Sequence, residues 1–180
     1  MPQNWVLYTG GYKEAGDLLL KYALRSGRQH VLVYPIIFLY RHYIELQLKE
    51  IIMNNRSYLG KSEPFPDYHN IDRLWEICKQ DLVEIDEPLL NQLDQKRYEE
   101  IMSQYDALGK DLSQFSQWDP DSQHFRYPVD KKGNPIVLDL RSINLRELEE
   151  LMRRISGLLG GISVGAYEYL VAKQEMQSYE

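Results

Sequence analysis

Four ionisable side chains lie close together in an otherwise apolar segment of the chain. Arg41, His42, Glu45 and Lys49 occur within YPIIFLYRHYIELQLKEIIM, residues 34–53. On a helix the four share one arc that also carries apolar side chains, so water is not expected to cover it. A charge that faces inward must be paired, because a desolvated and unpartnered charge costs several kcal/mol. The cluster is therefore either a structural ion-pair network or a functional site.

The spacing within this cluster is compatible with both interpretations. Glu45 is four residues from Arg41 and from Lys49, and three from His42, so three donors can share one carboxylate. In a structural network, Glu45 neutralises the two long cations. In a functional site, the carboxylate orients His42 for catalysis, while Arg41 and Lys49 present positive charge to a phosphate or another anion.

His69 is a second candidate catalytic residue, in the segment DYHNIDRLWE. Its structural alternatives are to cap backbone groups at the start of a helix or to stack under Trp75. If the second and third helices pack antiparallel, His69 approaches the polar arc of the second helix. Two histidines and a carboxylate would then permit a metal site, but no fourth ligand is obvious and structural zinc usually takes four. We therefore predict no metal and no cofactor.

Arg126 and Tyr127, in the segment FRYPVDKKG, are candidate anion-binding residues. In a strand, Phe125 and Tyr127 would lie on the face opposite to Arg126. Arg126 could then point inward and complete the anion site.

The periodicity of apolar residues predicts an all-α fold, a helical bundle of about five helices. The predicted helices cover residues 12–26, 34–54, a stretch from 71 past 82, a stretch opened by Asp86 and Pro88 that runs to 108, and a stretch from 145 into the 170s. Between helices 4 and 5, FRYPV and IVLDL flank the turn DKKGNP and predict a short β-hairpin or loop. The solvent face of the second helix is expected at Tyr43, Gln47 and Glu50. We expect residues 1–180 to form a single domain.

Gly157, Gly161 and Gly165 recur at four-residue intervals in the last predicted helix. A glycine inside a helix costs about 0.8–1 kcal/mol relative to alanine, so three on one face require a reason. Close packing against another helix supplies one. The partner is either within the chain, which we favour, or the same helix of a second subunit.

Net charge, cysteine count and hydropathy limit the kinds of protein that this chain is expected to be. The net charge of −6 argues against a broad nucleic-acid-binding surface. Cys78 is the only cysteine, so no disulfide can form within the chain and a reducing compartment is favoured. The apolar run at residues 31–40 is too short to cross a bilayer, and Arg153, Arg154 and Glu168 bracket the glycines. We expect a cytoplasmic protein that does not associate with membranes.

Four separated blocks carry a resemblance to a known superfamily. In order along the chain they are YRHYIELQLKEI, HNIDRLW, FRYPVDKKGNP and DLRSINLRELEELM. This set resembles a widespread group of bacterial proteins allied to the HEPN superfamily, and the likeness covers residues 34–155. The resemblance implies a bundle of four or five helices, often dimeric, from toxin–antitoxin, phage-defence or RNA-processing systems.

Many HEPN-like proteins are metal-independent ribonucleases with an Arg-x4–6-His motif near the start of the last core helix. This chain has no such motif there, and its one occurrence, Arg25 to His30, falls at the end of the first helix. We therefore predict a binding or interaction module that uses the polar site of the second helix. Its expected partner is a protein or a second copy of the chain, with RNA or a nucleotide as a further candidate ligand. The alternatives are a ribonuclease that uses the residues named above and a purely structural dimer.

Overall fold

The first two helices of this chain begin earlier than their apolar patterns indicate, and the fourth begins later. The computed structural model describes residues 4–90, 92–119, 124–130, 132–136 and 143–178. Its helices are α1 (Trp5–Ser26), α2 (Gln29–Leu59), α3 (Ile71–Leu90), α4 (Gln95–Trp118) and α5 (Leu145–Ser178). The predicted all-α bundle of five helices is confirmed, and no strand occurs within the described ranges.

Two prolines expected to open helices lie inside them instead. Pro35 is within α2, which begins at Gln29, two residues after Gly27, a left-handed residue with φ 69° that ends α1. Pro88 is within α3, so the predicted start of the fourth helix near Asp86 is wrong. Helix α4 begins at Gln95, where the carboxylate of Asp94 accepts a hydrogen bond from the backbone of Arg97 at 2.9 Å. This cap satisfies one of the free N–H groups of the first turn.

Helices α2 and α3 run parallel to each other, and not antiparallel. Helix α2 ends at Gly60, with φ 73°, and residues 60–70 return along the bundle before α3 begins. Consequently Glu45 contacts His69 at the start of α3, while Arg56, further along α2, approaches Asp81, further along α3. The extended return segment therefore brings His69 to the middle of α2.

One hydrophobic core joins all five helices. Each contributes side chains that are almost completely buried, such as Leu20, Ile44, Leu74, Leu112 and Ile155. Cys78 belongs to this core with 0% exposure, and burial raises the pKa of its thiol well above the usual range. It is therefore a buried and unreactive thiol.

The predicted hairpin between α4 and α5 is present as a tight turn in its described part. Val129 and Pro135 form an isolated antiparallel bridge. The backbone N–H of Asp130 donates to Asn134 at 2.8 Å, and Gly133 has φ 84°, as this turn requires. The predicted second strand, beyond Ile136, lies outside the described residues.

Candidate functional site

Arg41 is the centre of a buried ionic network on α2. Its side chain is 1% exposed, and each of its three nitrogens donates a hydrogen bond. Nη1 donates to Glu45 at 3.0 Å, Nη2 to the backbone oxygen of His69 at 2.5 Å, and Nε to the backbone oxygen of Asp119 at 3.1 Å. The Asp119 carboxylate also lies 3.5 Å from Nε. The guanidinium therefore links α2, the start of α3 and the end of α4.

Glu45 occupies the other half of this network and is 3% exposed. Its second oxygen lies 2.9 Å from Lys49 Nζ and 2.8 Å from His69 Nδ1. Burial alone would raise the pKa of this carboxyl, but hydrogen bonds and attraction from Lys49 and His69 hold it below its usual value. Glu45 is thus an ionised carboxylate with both oxygens in use.

The structure brings four of the predicted site residues together and leaves His42 apart. Arg41, Lys49 and His69 all contact Glu45, and the approach of His69 to the polar arc is confirmed. The carboxylate orients His69, however, and not His42. Within the described residues, no three His, Cys, Asp or Glu side chains are grouped so as to hold a metal ion.

His42 packs among aromatic rings on the side of α2 that faces α1. Its ring lies 4.3 Å from Tyr12 and stacks on Phe38 at 6.0 Å, and its Nδ1 is buried without a hydrogen-bond partner among the described residues. Burial lowers the pKa of His42, and the nearby cations add to that effect, although Glu45 opposes it. A neutral imidazole is therefore favoured there.

Arg126 and Tyr127 do not face inward. Phe125 is the buried residue of this segment, at 7% exposure, whereas Arg126 is exposed and stands over the Phe38 ring at 5.2 Å. Tyr127 is 55% exposed. Residues 124–126 form a turn, so the two-residue alternation of a strand does not apply. The predicted inward orientation of Arg126 is wrong, and an anion-binding role of Arg126 and Tyr127 stays a prediction.

The glycine strip of α5 faces open space. A Cβ atom built on Gly157, Gly161 or Gly165 would have no heavy atom of the described residues within 4 Å. The favoured explanation of these glycines, close packing within the chain, is therefore wrong. The second explanation, a seam with another subunit, stays a prediction.

Helix α5 also has the length and apolar composition of a membrane-crossing helix. It contains an 18-residue window with a mean hydropathy of 1.3, and only 17% of that window is buried. The first half of α5 nevertheless packs in the core of the bundle, through residues such as Leu148, Met152 and Ile155. The unusual feature is thus an apolar surface on the second half of the helix.

A groove between α1 and α5 was not foreseen. Its volume is about 830 Å³, and its floor is the face of α2 that carries Tyr43, Gln47, Glu50 and Asn54. Three of these residues were expected to face solvent, but all four are 3–8% exposed because α1 and α5 flank them. In the sequence, polar residues at spacings of three and four looked like an ordinary solvent-exposed helix face.

Two acceptor groups in this floor are incompletely paired. Glu50 receives hydrogen bonds at one oxygen, from Gln47 at 2.7 Å and from Ser163 at 3.5 Å, and no described cation pairs with it. Asn54 is 3% exposed, and its Oδ1 accepts no hydrogen bond from the described residues. A buried and unbonded atom such as the Oδ1 of Asn54 is unusual, since more than nine in ten buried polar groups are bonded.

Comparison of this chain with protein-family models, with curated proteins and with solved structures finds no match.

Proposed function

We propose that this protein is a non-catalytic interaction module that pairs with a second copy of itself through α5. The observation that carries the proposal is the apolar second half of α5, which the bundle leaves largely uncovered. Val164 is 58% exposed and Leu158 is 37% exposed beside the open glycines. Contiguous apolar surface of this kind is typical of an interaction site.

The arrangement of the exposed strip favours a second copy as the partner. In a two-fold symmetric contact the same surface must be complementary to itself. If two α5 helices cross antiparallel at Gly161, Gly157 of one faces Gly165 of the other. Arg154 and Glu168 each lie seven residues from Gly161, on the same face and both exposed, so Arg154, which pairs with Asp111 at 2.9 Å within the chain, lies opposite Glu168 of the other copy. The pairing therefore matches both shape and charge.

The ionic network of α2 has a structural role in this proposal. Arg41 and Glu45 use their hydrogen-bonding groups on each other, on Lys49, on His69 and on the backbone. A substrate phosphate would have to displace these bonds, so the geometry favours stabilisation of the fold over the ribonuclease alternative. The resemblance to HEPN-like domains, which are often dimeric and serve in bacterial conflict systems, agrees with an interaction module.

The test is the molar mass of the purified protein by light scattering after size-exclusion chromatography. The parent is expected to be a dimer, and Gly161→Leu a monomer, because a leucine would hold the two helices apart. Gly11→Leu is the matched control, since Gly11 is also an open helical glycine but lies on α1. A monomeric parent, or a parent found only in the membrane fraction, would overturn the proposal.

A second variant tests the antiparallel register. Glu168→Lys would replace an attraction to Arg154 of the other copy with repulsion, so the dimer should dissociate at a higher protein concentration than the parent. In a parallel pair Glu168 would face its own counterpart, and the same change would not weaken the dimer. An unchanged dimer would therefore disprove this register.

A further inference from the structure

The groove between α1 and α5 has the size and composition of a small-molecule site. Its volume of about 830 Å³ falls within the range of about 300–1,000 Å³ usual for such sites. Aromatic side chains line it on all three helices, namely Trp5 on α1, Tyr43 on α2 and Tyr167 on α5. A ligand with an apolar body can therefore be held between these rings.

Two acceptor oxygens on the floor of the groove receive no hydrogen bond from the described residues, one on Glu50 and one on Asn54. Glu50 and Asn54 are four residues apart on α2, so their side chains lie on the same face, one helical turn from each other. The carboxylate of Glu50 has no cationic partner, and the Oδ1 of Asn54 has no donor, among the described residues. Burial of an ionised carboxylate without a cation is costly, and a bound cation would offset that cost.

The charges around the groove select the sign of the ligand. Its lining includes the carboxylates of Glu14, Asp17, Glu50 and Glu168. Lys13 is the one cation among these described lining residues, and it already pairs with Asp17 at 2.7 Å. An anion would meet uncompensated negative charge, whereas a cation would be attracted by the carboxylates and by the faces of the aromatic rings.

We propose that this groove binds a small organic cation, a primary amine on an apolar stem, with its ammonium group between Glu50 and Asn54. The ammonium group has three N–H donors, so it can donate hydrogen bonds to the free oxygen of Glu50 and to the Oδ1 of Asn54 at the same time. The stem lies against Trp5, Tyr43 and Tyr167. The acceptors of the site are on α2, whereas Val164 and Glu168 of its α5 wall also belong to the surface proposed for self-association.

The upward shift of the Glu50 pKa agrees with a carboxylate that has no positive charge beside it. Burial raises the pKa of Glu50, although the hydrogen bonds from Gln47 and Ser163 act in the opposite direction. In Glu45, where cations are present, the balance is reversed. The two carboxylates of α2 thus differ in whether the protein itself supplies the counter-charge.

The experiment is isothermal titration of the full chain with phenylbutylamine and with its neutral counterpart phenylbutanol. The amine is expected to bind about tenfold more tightly or better, because a hydrogen bond to a charged group contributes more than a neutral one. In Glu50→Gln the preference for the amine should disappear while the alcohol still binds. Glu76→Gln, the same change at an exposed site on α3, should leave both affinities as in the parent.

Thermal unfolding without ligand separates a binding role of Glu50 from a structural one. Removal of an unpaired buried charge should raise the melting temperature of Glu50→Gln, whereas loss of a structural carboxylate would lower it. Asn54→Ala provides a second variant, which should weaken binding of the amine more than binding of the alcohol. Absence of amine binding, equal binding of amine and alcohol, or an amine preference that survives Glu50→Gln would each overturn the proposal.

Discussion

Two carboxylates on α2 are similarly withdrawn from water but differ in their surroundings. Glu45 is 3% exposed and touches Arg41, Lys49 and His69, whereas Glu50 is 8% exposed and touches only neutral donors. The first supplies the negative charge that two buried cations require. The second leaves one oxygen unused beside an open groove. The same residue type therefore serves stability at one position and, in our proposal, recognition at the other.

Removal of the Glu45 carboxylate should destabilise the protein strongly. In Glu45→Ala, Arg41 and Lys49 would remain buried without their shared anion, so we expect the free energy of unfolding to fall by about 3–5 kcal/mol. Chemical denaturation measures this change. Glu150→Ala is the control, because Glu150 forms an exposed pair with Arg153, and its loss should cost at most about 1 kcal/mol. If Glu45→Ala unfolds like the parent, the network does not stabilise the fold.

The participants of this network were only partly predictable. Arg41, Glu45 and Lys49 stand out in the sequence because they interrupt an apolar pattern at helical spacing. Asp119 does not, because it meets Arg41 only after the chain has passed through two further helices. Glu50 and Asn54 were missed because they belong to a polar helix face. The sequence of such a face is the same whether it is open to bulk water or forms the floor of a groove.

At the level of the helices, two of the glycines on α1 have opposite environments. A Cβ on Gly16 would lie 2.6 Å from the ring of Tyr40, which is fully buried and donates a hydrogen bond to Asp17 at 2.9 Å. A Cβ on Gly11 would have no heavy atom within 4 Å among the described residues. Gly16 is therefore required for close contact of α1 with α2, and Gly11 is not.

The same substitution at these two positions should change stability in opposite directions. Gly11→Ala is expected to stabilise the protein by about 0.8–1 kcal/mol, since alanine restricts the unfolded chain and favours the helix. Gly16→Ala is expected to destabilise it by about 1–3 kcal/mol, because the Tyr40 ring cannot move without disturbing the core. Thermal melts of the two variants make the comparison. A stabilised Gly16→Ala would show that the α1–α2 contact is looser than described.

Helix boundaries were harder to predict than the helices themselves. Pro35 and Pro88 were read as helix starts because proline suits the first turn. Both are instead accommodated inside longer helices that other parts of the bundle hold in place. Tertiary contact likewise extends α1 to Trp5, whose indole N–H donates to the backbone oxygen of Leu46 on α2 at 3.2 Å. The sequence around a helix end does not indicate contacts with residues that lie far away along the chain.

For the molecule as a whole, the proposed pairing through α5 links stability to protein concentration. A dimer is stabilised by mass action, so its melting temperature should rise with concentration. We expect this rise for the parent and its loss in Gly161→Leu, measured by differential scanning fluorimetry. A hundredfold range of protein concentration corresponds to a change of about 2.7 kcal/mol in the free energy of unfolding of the dimer. A melting temperature of the parent that does not depend on concentration would contradict a dimer.

The bundle as a class was predictable because apolar periodicity and the near absence of strand patterns both point to helices packed on helices. The path of the chain through the bundle was not predictable from the sequence. The segment 60–70 carries it back along the bundle, which makes α3 parallel to α2 and places His69 against Glu45. Nothing in the composition of that loop distinguishes a long return from a short reversal.

The buried thiol of Cys78 provides a way to measure how often the folded protein opens. A disulfide reagent in solution cannot reach a sulfur enclosed at the centre of the bundle until the surrounding helices come apart. Its rate of modification in native buffer therefore measures opening of the protein around this thiol, with no engineered label and no denaturant. Because the same sulfur reports on every variant, rates of opening can be ranked across the substitutions named above, at reagent concentrations at which the thiol reacts faster than the protein recloses.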